Sequence, residues 1–164
     1  MPFSDLTFYG NTAVMWLAAL AVAAATFFGL KLVQAVLIRR LVRLADRTTN
    51  AIDDLVVRVL RRTSALFLTA VALFAGSRLL TISAGADEVV AVLATLALVL
   101  QGGVWATVAV DHLLRRQTER YMEEDAATAT TLRFVGFLAR LVVWLVVLLV
   151  ALDNLGIDIT ALVA

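Results

Sequence analysis

Between Val89 and Val110 the chain carries no charged residue, and three other stretches come close to the same condition. A hydrocarbon core about 30 Å thick is crossed by about 20 mostly apolar residues of helix, so each stretch is read as a membrane span. Leu6–Leu30 is uncharged, and with Lys31 as the only interruption its apolar character continues to Ile38. That is too long for one upright span, so the helix tilts or continues past the interface as a basic extension. Thr63–Ala86 is apolar except for Arg78, and Phe134–Leu152 is apolar except for Arg140. Composition agrees: 62% of the 164 residues are hydrophobic, against roughly 45–50% in soluble domains. The reading is an all-α, polytopic membrane protein with four transmembrane helices.

The fourteen basic residues orient it. Lys31, Arg39, Arg40, Arg43, Arg47, Arg58, Arg61 and Arg62 lie between the first and second spans, and Arg115, Arg116, Arg120 and Arg133 between the third and fourth. The N-terminus, the Ser83–Glu88 turn and the Asp153–Asp158 turn have none. Because basic residues are retained on the cytoplasmic side, both long linkers are placed there, and both termini on the outer side. The first run starts beside Asp5, lacks a basic segment before it and is longer than a signal-peptide core, so it reads as a retained span.

Within the first linker, Ile52, Leu55, Val56, Val59 and Leu60 fall on one helical stripe. Asn50 can cap that helix, Asp53 and Asp54 suit its first turn, and Arg58, Arg61 and Arg62 suit its last. Such a helix lays its apolar face on lipid or on a neighbour, while its arginines reach phosphate headgroups; the plainer reading is a hairpin whose arginines only set topology. The second linker extends the third span, with Arg115–Glu119 and Arg120–Glu123 or Glu124 at ion-pair spacing, and the Ala126–Thr131 stretch is expected to break it, with Thr128 or Thr131 capping the fourth span.

Arg78 can reach Asp87 or Glu88, and Arg140 can snorkel to the interface, hold a lipid phosphate or pair with Asp111. Arg40, Arg43 and Arg47 have the spacing of a voltage-sensing helix but lie outside the apolar core. Ala21, Ala25 and Gly29 form a small-residue ridge for close helix contact, Gly102-Gly103 could loosen the third span, and Trp144 is expected between helices. Phe8, Tyr9 and Tyr121 suit interfacial positions. With no cysteine and one histidine, His112, no thiolate or zinc-type site is expected, and no cofactor. No catalytic constellation is present, so the chain is not expected to be an enzyme, and a formal net charge of +1 gives no reason to expect nucleic acid as a partner.

The stretch "LDNLGIDITALVA", Leu152–Ala164, resembles the segment leading into the pore-lining helix of small-conductance mechanosensitive (MscS-type) channels. "ADRTTNAIDDLVVRVLRR", Ala45–Arg62, is similar to the linker between earlier membrane helices in that family. The resemblance implies a tension-sensing paddle over residues 1–152, then a turn and the first residues of an incomplete pore helix over 153–164. Asp153, Asn154, Gly156 and Asp158 would link paddle to pore helix. It also implies a homo-oligomer, a heptamer in the full-length family, in a plasma membrane, most simply a bacterial inner membrane. Membrane lipids are the expected partners, with Arg39, Arg40, Arg43, Arg58, Arg61, Arg62 and Arg140 as headgroup contacts. The alternatives are a small four-helix membrane scaffold and a voltage-responsive module.

Orientation is directly measurable, because single cysteines can be introduced into a chain that has none. A membrane-impermeant thiol reagent applied from outside should label Ser83→Cys and Asn154→Cys but spare Thr49→Cys and Thr128→Cys. Labelling of either basic linker from outside would reverse the orientation.

Overall fold

A computed structural model describes residues 7–45, 51–121 and 126–158. The chain is all-α apart from one minimal hairpin. Strands β1 (Thr7–Phe8) and β2 (Asn11–Thr12) pair antiparallel, with Thr7 opposite Thr12 and Phe8 opposite Asn11. Five helices follow among the described residues: α1 (Ala13–Ala45), α2 (Ala51–Arg61), α3 (Ala65–Ser77), α4 (Ala84–Tyr121) and α5 (Ala126–Asn154). Three of them contain stretches long and apolar enough to cross a membrane: Ala13–Arg43, Ala84–Arg115 and Thr131–Asn154. A fourth exists only if α2 and α3 are counted together as one broken span.

The helices group into two compact units. The first comprises Met1–Leu37 and Ser64–Leu98, and the second Ile38–Thr63 and Val99–Ala164. Helices α1 and α4 each contribute to both.

In the first unit, the expected start at Leu6 is corrected. The chain turns at Tyr9 and Gly10, whose φ values of 50° and 77° are both left-handed, as a two-residue hairpin turn requires. Helix α1 begins only at Ala13, with the Met15 N–H donating to Thr12 Oγ1 at 3.3 Å, an N-terminal cap. Asn11 is fully buried. Its amide donates to the Tyr9 and Thr81 carbonyls at 3.0 and 2.9 Å, and its Oδ1 accepts from the Thr81 N–H and hydroxyl at 2.8 and 2.7 Å. All four hydrogen-bonding positions of the amide are therefore filled.

The second expected span, Thr63–Ala86, is corrected too. Ser64 has extended backbone and its hydroxyl accepts from the Phe67 N–H, which starts α3, and the helix ends after Ser77. Thirteen residues make about 20 Å of helix, short of a hydrocarbon core. Residues 78–83 are not helical, and the acidic stretch expected to be a turn is the first turn of α4. Ser83 caps it through the Ala86 N–H at 3.4 Å, and Asp87 lies in the first turn, where a carboxylate answers the positive end of the helix dipole.

Small residues bring α1 and α3 together, but not the expected ones. Ala21, Ala25 and Gly29 are exposed, whereas Ala19 and Ala23 are buried together with Ala72 and Gly76. A Cβ on Gly76 would stand 2.6 Å from the Ala19 carbonyl oxygen, so the contact is backbone to side-chain-free backbone.

In the second unit, α4 runs unbroken past the third span to Tyr121, as its linker pattern predicts, and Gly102-Gly103 does not loosen it. Gly103 instead receives Val147 of α5, and Gly136 of α5 receives Leu114 of α4, at 2.6 and 2.7 Å from the Cβ each glycine lacks. Between them Asp111 meets Arg140. As the α4 number rises from 103 through 111 to 114, the α5 number falls from 147 through 140 to 136, which is an antiparallel register. The expected break at Ala126–Thr131 is corrected, since α5 is already helical from Ala126. Trp144, expected between helices, is 43% exposed. Among the residues of α2 whose side chains are described, Val57, outside the predicted stripe, is buried, while Val56 is exposed. Asn50, Arg47, Glu123, Glu124 and the terminal Ile159–Ala164 lie outside the described residues.

Two helix-interior glycines separate packing from propensity. Gly→Ala stabilises an open helical site by up to about 1 kcal/mol. Gly102, with nothing within 4 Å of its virtual Cβ, should follow that rule. Gly76→Ala should instead cost about 1–3 kcal/mol, because the α1 backbone cannot yield as a side chain can. Thermal unfolding of the two variants in the same detergent checks the opposite signs.

Candidate functional site

The basic residues singled out in the sequence do not share one environment. Arg39, Arg40 and Arg43 are exposed on α1, and the Arg43 Nε donates back to the Arg39 carbonyl at 3.2 Å. Arg58, Arg61 and Arg62 lie at the end of α2 and form one wall of a cleft of about 230 Å³ in the second unit. Its other wall is α4, with Asp111, His112 and Arg115.

The two walls are fixed by polar contacts. Gln101, 2% exposed, donates from Nε2 to the Arg62 carbonyl at 3.2 Å, satisfying a carbonyl that the end of α2 leaves without an intrahelical partner. One turn further along α4, the Trp105 indole N–H donates to Thr63 Oγ1 at 3.2 Å. The Thr63 hydroxyl in turn donates to the Val59 carbonyl at 3.3 Å. Gln101, Trp105 and His112 recur at helical spacing on one face of α4, whereas Gly103 and Leu114 belong to the face that meets α5. Asp111 falls between the two faces. It lines the cleft and accepts from Arg140 Nη1 of α5 at 2.7 Å.

Both arginines inside apolar segments thus have a carboxylate partner. Of the readings open for Arg140, the pair with Asp111 is formed. Arg78 Nη2 lies 3.1 Å from Asp87 Oδ1, and its guanidinium stands over the Phe74 ring at 4.5 Å from the centroid, a cation–π contact that shields the charge further.

The residues expected to link paddle and pore helix close the end of α5. The Gly156 N–H donates to the Asp153 carbonyl at 2.9 Å and the Ile157 N–H to the Leu152 carbonyl at 3.1 Å. Gly156 has φ 76°. This is the left-handed Schellman ending that glycine adopts without strain, so α5 stops here. Asp153, Gly156 and Asp158 are exposed.

Sequence reasoning does not bring His112, Arg115, Gln101 and Trp105 together as a group. The available signal is Gln101, a single amide in an otherwise apolar run, which must find a partner wherever it is buried. Among the described residues no group of three His, Asp or Glu side chains could hold a metal ion. Comparison with protein-family models, with curated proteins and with solved structures gave no match.

The Asp111–Arg140 pair should behave as a unit. Asp111→Asn and Arg140→Gln each leave the opposite charge without its partner, and the double variant removes both charges. In lipid nanodiscs the double variant should be more stable than the sum of the single losses predicts, by about 1–2 kcal/mol. Strict additivity would show that the pair contributes nothing.

Proposed function

We propose that this chain is the membrane-tension-sensing transmembrane domain of a mechanosensitive ion channel. In this reading it crosses the membrane four times, the second time through α3 and the apolar segment that follows it, holds both termini outside, and works within a homo-oligomer in a cell membrane. Residues 1–152 are the sensor paddle, and Asp153, Asn154, Gly156 and Asp158 belong to the turn through which it acts.

The observation that carries the reading is how little of each apolar helix is covered by the chain itself. In the most apolar windows of the three long helices only 6%, 17% and 11% of residues are buried. Side chains such as Leu17, Phe28 and Phe134 are more than half exposed, and such a surface must meet lipid or neighbouring copies. A protein whose helices are mostly lipid-covered changes its membrane area when they tilt, and tension favours whichever conformation occupies more area. The amphipathic α2, with Arg58, Arg61 and Arg62 at its end, supports the same reading as a helix held at headgroup level. Each arginine there is worth about 1 kcal/mol near an anionic surface. Arg39, Arg40 and Arg43, exposed at the end of α1, would add to that anchorage. The Gly156 stop supports it as well, because a short turn transmits motion of α5 more directly than a loose tether does.

Patch recordings from membranes carrying the natural gene product test the proposal. Suction should elicit currents of low chemical selectivity, and replacing Arg58, Arg61 and Arg62 together by Gln should raise the pressure needed to activate them. Absence of any pressure-activated current would overturn the reading, and an unchanged threshold in the triple variant would remove the anchoring role.

A further inference from the structure

We propose that the cleft between α2 and α4 is a binding site for a single phosphate monoester group. The claim goes further than general attraction to anionic headgroups. It names one stoichiometric site and one ligand chemistry, and it rests on the proposed function only in expecting a lipid among the sources of that group.

Arg58, Arg61, Arg62 and Arg115 line the cleft, and the single carboxylate among its described lining residues, Asp111, is already held by Arg140. Arg58 repels Arg61 and Arg62 at i, i+3 and i, i+4, an arrangement that destabilises a helix by a few tenths of a kcal/mol per pair. The excess positive charge is concentrated where two walls converge, whereas Arg39 and Arg40 are simply exposed on α1. An anion in the cleft removes the repulsion and meets guanidinium forks from both walls.

The hydrogen bonds from Gln101 to the Arg62 carbonyl and from Trp105 to Thr63 hold the end of α2 on α4 without any ligand. The site is therefore formed before binding, and the ligand does not have to bear the cost of bringing its walls together. His112, 9% exposed, adds a buried side chain to the α4 wall.

A phosphate monoester carries about −1.5 to −2 charges at neutral pH and presents three strong acceptor oxygens, which several arginines can engage in pairs. A phosphodiester carries a single negative charge, and a carboxylate has only two oxygens. Four guanidiniums around about 230 Å³ suit the monoester best. The source is either the headgroup of a monoester lipid or a soluble phosphate.

The test uses the intact protein in neutral-lipid nanodiscs. Phosphatidic acid is titrated in one arm, phosphatidylglycerol at equal total charge in a second, and inorganic phosphate in a third, with stoichiometry read by native mass spectrometry and affinity by thermal shift. Saturable binding of one phosphatidic acid per chain, tighter than phosphatidylglycerol, is expected. Arg61→Gln and Arg115→Gln should each weaken it about tenfold, the loss of one charge-assisted hydrogen-bonding partner, while Arg133→Gln, at an exposed arginine outside the cleft, should leave it unchanged. Asp111→Asn removes the repelling carboxylate and releases Arg140, so it should tighten binding severalfold, which loss of folding cannot imitate.

Binding of inorganic phosphate with the same arginine dependence supports the site and assigns a soluble source. Binding of phosphatidic acid alone assigns a lipid source. Equal, non-saturating binding of both lipids, weakened as much by Arg133→Gln as by the changes in the cleft, would overturn the proposal. That result would leave pressure-activated currents untouched, and absence of such currents would not affect phosphate binding, so the two readings fail separately.

Discussion

A backbone N–H or C=O that loses water must be paired within the protein, and inside a hydrocarbon layer no solvent can substitute. The places where helices begin and end in this chain follow from that constraint. The starts of α1, α3 and α4 each receive a hydroxyl, from Thr12, Ser64 and Ser83. The end of α2 has a carbonyl bound by Gln101, and α5 closes on itself through Gly156. The loop after α3 leans on Asn11, whose side chain supplies the donor and acceptor that Thr81 would otherwise take from a neighbouring strand. At each of these breaks a polar side chain or a left-handed glycine supplies what the interrupted helical ladder lacks.

Attraction between the helices has a different origin. Lipid tails are as apolar as leucine, so burial of apolar surface does not drive helices together, and close packing must. The two unit interiors use the same device at different scales. Ala19, Ala23, Ala72 and Gly76 let α1 and α3 approach as bare backbones, and Gly103 and Gly136 each accept one side chain from the opposite helix. Two arginine–aspartate pairs add a second kind of contact. A guanidinium in a low-dielectric setting is costly alone, and both Arg78 and Arg140 are neutralised by an aspartate within 3.1 Å.

Much of this is legible in the sequence, and the misreadings share a cause. Helix identity, the amphipathic α2, the continuation of α4 and the candidate partners of Arg78 and Arg140 follow from periodicity and charge, which are local. The end of α3 is hidden because Leu79, Leu80 and Ile82 keep the stretch apolar, and hydropathy does not distinguish an extended apolar segment from a helical one. Ser83 followed by Asp87 and Glu88 has the chemistry of a helix start, yet the same residues suit a turn between spans equally well. The small-residue face of α1 is ambiguous because alanines occur on several faces of "AALAVAAATFFG", and only the position of Gly76 selects Ala19 and Ala23. The cleft combines residues far apart in the chain, so Arg58, Arg61 and Arg62 stand out by themselves while the contribution of His112 and Arg115 does not.

The antiparallel seam of α4 and α5 has a mechanical consequence. Val147 sits in the notch at Gly103, Leu114 in the notch at Gly136, and a charged pair bridges the interval between them. A displacement of a fraction of a turn would drive branched side chains into backbone and stretch the ion pair at once. The seam therefore opposes relative sliding of α4 and α5 where these three contacts lie, and a shift of one whole turn, about 5.4 Å, offers no second notch, because Val99 and Thr107 stand one turn either side of Gly103.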